Sequence, residues 1–264
     1  MLIDIENSRA YAYTGGKEFD PAKPTLVFIH GAAHGHSVWA LQSRYFAYHG
    51  HNVLAVDLPG RGRSEGPLLA SVEAMAAWVI ALCDAVGAPR VTVVGHSMGS
   101  LIALEMASRQ PERVQRLILL GTAYPMQVSE ALLNAARDNE DEARQMVNVW
   151  SHAPATLAGG NPNPGMWLMG RNLRVMERMP HGVIYNDLAA CNAYRGGEAA
   201  ATKLTCPTLL VLGRRDQMTS PGVGQALGKA IAGSRTAILE GAGHAMMSEQ
   251  PDAVLDTLIG FMTV

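Results

Sequence analysis

A serine hydroxyl becomes a nucleophile when a tight turn exposes it and a nearby base can take its proton. Gly-x-Ser-x-Gly, a spacing that supplies such a turn, occurs twice in the chain, as Gly62-Arg-Ser64-Glu-Gly66 and as Gly95-His-Ser97-Met-Gly99. In a chain with 27 glycines, chance alone yields about 0.1 matches, so the surroundings decide. Ser64 follows Pro59-Gly60 and runs into Pro67, with no strand before it and no helix after it, and reads as a surface loop. Ser97 follows Val91-Thr-Val-Val94 directly and opens a helical run, Ser100–Arg109. A strand–turn–helix setting holds a serine in a strained conformation with its hydroxyl exposed, and flanking glycines are needed where side chains would collide. Ser97 is the candidate nucleophile.

The serine needs a base, and the base needs an acid to orient it. Of nine histidines, only His244 lies in a glycine-loosened loop, Gly241-Ala-Gly243-His244, just beyond a C-terminal strand. The acid should also follow a strand, and Asp216 does, in Leu212-Gly213-Arg-Arg-Asp216. The order along the chain is therefore Ser97, Asp216, His244.

The elements that would position these residues are short apolar runs at Thr25–Ile29, Asn52–Val56, Val91–Val94, Arg116–Leu120, Thr208–Leu212 and Thr236–Leu239. They lack in–out alternation, as expected of parallel strands buried on both faces, and each ends in turn chemistry. A helix capped by Ser71 and closed at Gly87, and another stopping before Pro111, alternate with them. The expectation is an α/β chain with a mostly parallel sheet and helices on both faces. A weaker antiparallel pair is expected at Leu2–Glu6 and Arg9–Thr14. From Tyr124 to Ala200 the alternation breaks: helical stretches at Ser129–Trp150, Trp167–Met179 and Ile184–Tyr194 surround a turn-rich joint, Asn161-Pro-Asn-Pro-Gly165. The segment holds five of the 14 methionines between Met146 and Met179. It reads as a helical lid, 124–200, inserted into a core made of 1–123 and 201–264; its methionines suit either ordinary core or an adaptable apolar pocket.

On His30-Gly31-Ala32-Ala33, Asp57-Leu-Pro-Gly60-Arg-Gly62-Arg-Ser64, Gly95-His-Ser97-Met-Gly99, Gly213-Arg-Arg-Asp216 and Gly243-His244, the chain resembles the α/β-hydrolase superfamily, in its serine-nucleophile branch with a helical cap. The resemblance implies an oxyanion hole built from the backbone N–H groups of Met98 and Ala32, with Ala33 as the alternative to Ala32. It implies a carboxylesterase-type serine hydrolase acting through an acyl-enzyme on a small, largely apolar ester, with no cofactor. Serine at the elbow argues against the dehalogenase and epoxide hydrolase branches. The same triad would also serve hydrolysis of a carbon–carbon bond, a thioester or a lactone, peroxide-linked oxidation, or a ligand receptor that turns over slowly.

Composition narrows the partners. Charged residues are 17% of the chain, hydrophobic ones 48%, and the net charge is −2, which excludes a disordered chain and argues against a nucleic-acid binder. The low charge also hints at an apolar pocket. Three widely spaced cysteines, Cys83, Cys191 and Cys206, fit reduced thiols. The opening residues carry no signal-peptide pattern, and the longest apolar run, Ala74–Cys83, is too short for a bilayer, so a soluble, cytoplasmic protein without a membrane span is expected. Its oligomeric state is left open. His30, His34 and His36 crowd one loop, but no Asp, Glu or Cys joins them locally as a metal site would require. His96 reads as packing under the elbow. Asp57 reads as the residue that orders Arg61 and Arg63, Glu105 as a solvated or salt-bridged helix face, and Asp138–Glu142 as a hydrated acidic surface.

Overall fold

A computed structural model of the chain describes residues 1–5, 7–160 and 165–263. Among these residues eight strands form one sheet: β1 (Leu2–Ile5), β2 (Ser8–Tyr13), β3 (Thr25–Ile29), β4 (Asn52–Asp57), β5 (Val91–His96), β6 (Val114–Leu120), β7 (Thr208–Gly213) and β8 (Arg235–Leu239). Their spatial order is β1-β2-β4-β3-β5-β6-β7-β8. From β4 through β8 every neighbouring pair is parallel, and β2 joins β4 antiparallel. All six expected parallel strands and the early hairpin are present. Several strands run one or two residues further than their apolar cores, because ladder hydrogen bonds continue into the polar ends Asp57, His96 and Gly213.

Continuous burial explains the lack of alternation: every residue of β3, β4, β5 and β7 is buried. Successive side chains still point to opposite faces. Val27, Ile29, Val93 and Leu117 pack on one face against α2 (Val72–Ala85) and α3 (Met98–Arg109). Leu26, Phe28, Val94 and Ile118 pack on the other, where Phe46 lies on α1 (Ala40–Tyr48) and Val254 and Leu258 on a C-terminal helix, Pro251–Met262.

Between β6 and β7, six helices lie among the described residues: α4 (Glu130–Asp138), α5 (Glu140–Trp150), α6 (Pro154–Leu157), α7 (Leu168–Glu177), α8 (Val183–Ala193) and α9 (Gly197–Thr202). The chain then continues through α10 (Pro221–Ala230), α11 (Met246–Glu249) and α12 (Pro251–Met262). The expected single helix Ser129–Trp150 is two helices. Asn139 leaves helical geometry at φ −153°, and its side chain accepts the Glu142 N–H at 3.4 Å, starting a new helix. Ser71 and Ser129 cap as their residue types dictate, accepting N–H groups from Ala74 and Leu132 at 3.1 and 3.3 Å. Residues 161–164 of the expected turn-rich joint, and Glu6 at the end of the first expected strand, lie outside the described residues. Leu132, Ala136, Val147, Met176, Ile184 and Leu188, from α4, α5, α7 and α8, form a third apolar cluster that reaches down to Ala33. Among the described residues no helix is long and apolar enough to cross a membrane.

Candidate active site

The turn from β5 into α3 puts Ser97 at φ 54° and ψ −122°, a region that a residue with a side chain occupies only under constraint. Two backbone hydrogen bonds hold it: Ser97 N–H donates to the Leu120 carbonyl at 2.9 Å, and the Ser97 carbonyl accepts the Ser100 N–H at 2.8 Å. The flanking glycines are steric requirements. A Cβ on Gly95 would lie 2.1 Å from the Gly99 carbonyl oxygen, and one on Gly99 would lie 2.3 Å from the Ile29 carbonyl oxygen. The rival Ser64 is turned away from any such role, because its hydroxyl donates to the Asp57 carbonyl and accepts the Tyr11 N–H at 2.8 Å.

Asp216 follows β7 and His244 follows β8, so adjacent parallel strands deliver the two side chains to the same edge of the sheet. Asp216 Oδ2 lies 2.7 Å from His244 Nδ1. The carboxylate is fixed in turn. Oδ1 accepts the N–H groups of Met218 and Thr219, both at 2.8 Å, and Oδ2 accepts the Thr219 hydroxyl at 2.7 Å. With Nδ1 engaged by an acceptor, the His244 proton sits there and Nε2 carries the lone pair a base needs. The ring has room because Gly121 lacks a Cβ, which would lie 3.1 Å from His244 Cε1. His96 packs beside it as expected, with Nε2 2.9 Å from the His244 carbonyl oxygen. Burial and the neighbouring His244 push the His96 pKa well down.

Ser97, His244 and Ala32 line one cavity of about 380 Å³. Met98 opens α3, so its N–H is one of the donors that a helix start leaves without an intrahelical partner. Ala33, the alternative to Ala32, is corrected by the structure. Its N–H already donates to Asp187 Oδ2 at 2.9 Å, so it is engaged elsewhere. His30 anchors the same loop: its Nε2 accepts the Leu58 N–H at 3.2 Å while Nδ1 donates to the Gly31 carbonyl at 2.8 Å. Burial depresses its pKa to about 4, matching that neutral tautomer.

The crowded histidines are partnered separately. His34 reaches Ala32 and Asn172, and His36 Nδ1 reaches both carboxylate oxygens of Asp57 at 2.9 Å. Asp57 also accepts the Arg63 N–H at 2.9 Å, so its expected grip on Arg63 is present. Burial resists ionisation of Asp57, but the His36 contacts outweigh it and hold the carboxyl below the usual range. Arg61 departs from expectation, because its guanidinium pairs with Asp187 on α8 and not with Asp57. Glu105 is salt-bridged to Arg109 at 2.7 Å, but it is buried and also accepts the Tyr194 hydroxyl at 2.6 Å. Within the acidic run, Glu140 is likewise buried, paired with Arg144 and accepting the Gly182 N–H at 2.5 Å.

The cavity wall is completed by Met126, Leu132, Val147, Trp150, Ile184 and Leu188 from the segment between β6 and β7. Among the described lining residues none is Lys, Arg, Asp or Glu. The five methionines between Met146 and Met179 are absent from that lining, while Met126, Met218 and Met247 are present. Of these five, Met176 is buried in the third cluster and Met146 packs against it, while Met166 is exposed.

Thr219, Glu249, Asp187 and Asn172 were not foreseen. Thr219 carried a usable signal, lying three residues after Asp216 where a hydroxyl can close an aspartate-led turn. Glu249 carried none, yet it accepts the N–H groups of Gly243 and Ala153, both at 2.7 Å, and the Thr156 hydroxyl at 2.7 Å.

An elbow serine and a carboxylate-paired histidine share one chamber beyond the strand ends, lined by apolar side chains and by uncharged polar ones such as Gln127, Ser129, Ser151 and Gln217, an arrangement able to carry hydrolytic chemistry. The chain belongs to the alpha/beta hydrolase fold family, whose model matches residues 24–251, and it is a hydrolase of that fold. Its relatives include a Pseudomonas savastanoi pv. phaseolicola protein named "Putative carbamate hydrolase RutD", 27% identical over 90% of this chain and 93% of that protein. A 2-hydroxy-6-oxononadienedioate/2-hydroxy-6-oxononatrienedioate hydrolase from Pseudomonas sp is 25% identical over 90% of this chain and 87% of its own length. Among solved structures, the enol-lactonase from Burkholderia xenovorans LB400 superposes with a TM-score of 0.87 at 22% identity, covering 100% of both chains, which establishes likeness of fold.

Proposed function

We propose that this chain is a serine hydrolase of small, uncharged, largely apolar carboxylic esters, and that the helices of 124–200 act as its lid. In this reading Ser97 attacks the ester carbonyl. His244 takes the serine proton through Nε2 and returns it to the leaving alcohol, while Asp216 keeps the imidazole in the required tautomer. The N–H groups of Ala32 and Met98 receive the developing oxyanion, and water then releases the acyl group.

The observation that carries the substrate class is the chamber itself. A substrate carboxylate buried there would face no Lys or Arg, and an unpaired buried charge is costly. That weighs against the dianionic substrate for which the Pseudomonas sp relative is named. A neutral ester or lactone, whose only strongly polar centre is the reacting carbonyl, meets no such penalty. Carbamate cleavage, for which the Pseudomonas savastanoi relative is named, shares the same acyl chemistry and belongs in the same assay panel.

The test compares p-nitrophenyl acetate, butyrate and octanoate with p-nitrophenyl hemisuccinate, an aryl carbamate and a vinylogous diketone. Neutral short-chain esters should exceed the hemisuccinate at least tenfold in kcat/KM. Ser97→Ala should abolish both turnover and labelling by a fluorophosphonate. A Ser97→Ala protein that keeps most of its activity, or a preference for the anionic ester, overturns the reading.

A further inference from the structure

The oxyanion loop is gripped from above by helices that are far away in sequence. Ala33 sits at φ 54°, outside the conformations ordinarily open to alanine, so its surroundings must hold it there. Its N–H donates to Asp187 Oδ2 at 2.9 Å, across 154 residues of sequence. Asp187 lies on α8 with no exposed surface, and its carboxylate also takes Arg61 Nε at 3.2 Å, Arg61 Nη2, and Asn186 Nδ2 at 3.2 Å. Arg61 is equally buried, and its Nη1 donates to the Pro59 carbonyl at 2.6 Å. Buried ion pairs contribute little net stability, because desolvation offsets their attraction. What this pair does achieve is to deliver an acceptor to Ala33.

The other end of the same peptide is held as well. The Ala32 carbonyl lies 2.6 Å from His34 Nδ1, and His34 Nε2 lies 2.8 Å from the Asn172 side-chain amide on α7, so the neutral ring donates to the carbonyl and accepts from the amide. The Asn172 amide also meets the Asn148 amide on α5 at 3.0 Å. Both ends of the Ala32–Ala33 peptide plane are thus fixed by contacts that begin in the inserted helices. The preceding plane is fixed from the core, where His30 Nδ1 holds the Gly31 carbonyl at 2.8 Å. In a trans peptide the N–H points opposite to the C=O, so the Ala32 N–H is directed away from buried His30.

We propose that Asp187 and Asn172 are positioning residues: seated in the helices between β6 and β7, they clamp the Ala32–Ala33 peptide, so that together with the His30-held plane before it both backbone torsions of Ala32, whose N–H faces the oxyanion, are fixed. The inference rests on the serine-hydrolase reading above. It makes the Asp187 and Asn172 contacts to the loop a condition for the transition state, separate from the cavity wall that Ile184 and Leu188 of α8 give the substrate.

The experiment removes each clamp without leaving a buried charge unpaired. Arg61→Met with Asp187→Leu deletes the lower clamp, and Asn172→Ala deletes the upper one. Folding is checked by circular dichroism, and kcat and KM are measured on p-nitrophenyl butyrate. Losing a whole oxyanion donor costs about 10²–10³ in turnover, so mis-aiming one should lower kcat roughly 10–100-fold with KM within about threefold. An alkyl boronic acid that mimics the tetrahedral intermediate should lose affinity by the same factor as kcat. Arg61→Met with Asp187→Asn keeps a carbonyl oxygen for the Ala33 N–H and should recover most of the lost kcat. Folded variants with unchanged kcat, or a rise in KM with kcat retained, overturn the inference alone. A wild-type chain without Ser97-dependent turnover overturns the functional reading, and this inference with it.

Discussion

Asp216 Oδ2 and His244 Nδ1 stand 2.7 Å apart with both side chains almost wholly withdrawn from solvent. The pair is the meeting point of two adjacent strands, β7 and β8, whose loops each end in a residue that only the tertiary fold brings to the other. Thr219 closes the arrangement, its hydroxyl 2.7 Å from the same Asp216 oxygen and 3.2 Å from the same His244 nitrogen. A carboxylate held by three donors from its own loop has little freedom to turn from the imidazole.

Asp216→Asn should keep the fold and lose the chemistry. The carboxamide can present an NH₂ where His244 Nδ1 now has an acceptor, which moves the imidazole proton to Nε2 and removes the base. In an unrelated serine protease the same change costs about 10⁴ in kcat, and a loss of about 10³–10⁴ is expected here. Steady-state kinetics on a p-nitrophenyl ester, with the thermal midpoint measured in parallel, separates this from unfolding. A variant within tenfold of wild type would remove Asp216 from the assigned role.

Ser97 carries a conformational strain that its neighbours maintain. At φ 54° and ψ −122° its Cβ is the source of the strain, and its side chain makes no capping bond to α3 that would compensate. Ser97→Gly should therefore be more stable than Ser97→Ala by about 0.5–2 kcal/mol, even though glycine loses more backbone entropy on folding. Urea denaturation of the two inactive variants measures the difference. Equal midpoints, or the reverse order, would mean that the turn is not strained.

Much of this was legible in the chain itself. Ser97, Asp216 and His244 each follow a strand whose apolar run and terminal glycine are local signals. Local signals also mark Gly95 and Gly99, whose missing Cβ atoms leave room for the backbone beside them. Asp187 was not legible, because a lone acid in an apolar helix declares no partner until α8 is laid over the loop after β3. Arg61 was misassigned for the same reason: Asp57 is nearer in sequence, but Asp187 is nearer in space. Asn139 misled in a different way, since the helical pattern on either side of it is continuous and only its backbone breaks the helix.

Acid should destabilise the protein over a definite range. His30 is buried as the neutral ring, with a folded pKa of about 4 against the ordinary 6.5. Between those values the unfolded chain binds more protons than the folded one, so stability rises with pH and is lost as pH falls from 6.5 toward 4. His34 and His96, whose pKa values are also lowered by burial, act in the same direction. The His30 share corresponds to about 2 kcal/mol between pH 7 and pH 5. Urea midpoints at the two pH values should show the fall, and His30→Gln should flatten it by about that amount. An unchanged slope in the variant would place the titration elsewhere.

Glu249 joins the loop after β8 to the helices between β6 and β7, and none of the hydrogen bonds it accepts comes from Lys or Arg. One carboxylate oxygen accepts the Ala153 N–H and the Thr156 hydroxyl, and the other accepts the Gly243 N–H immediately before His244, all at 2.7 Å. The Ala245 N–H donates to the Ser151 carbonyl at 2.8 Å, so the loop is bound to the same segment on both sides of the histidine. Glu249→Gln preserves shape but replaces one acceptor with an NH₂, which must face either Gly243 or the Ala153–Thr156 pair. At least one buried donor then loses its partner, at a cost of about 1–3 kcal/mol. If the amide turns toward Gly243, the His244 loop loosens and kcat falls along with stability. If it turns toward Ala153, stability falls while turnover holds. Either result lowers the urea midpoint, and hydrogen exchange at the Gly243 and Ala153 amides identifies which contact broke. A variant as stable as wild type, with both amides equally protected, would show that the carboxylate is not what fastens this loop.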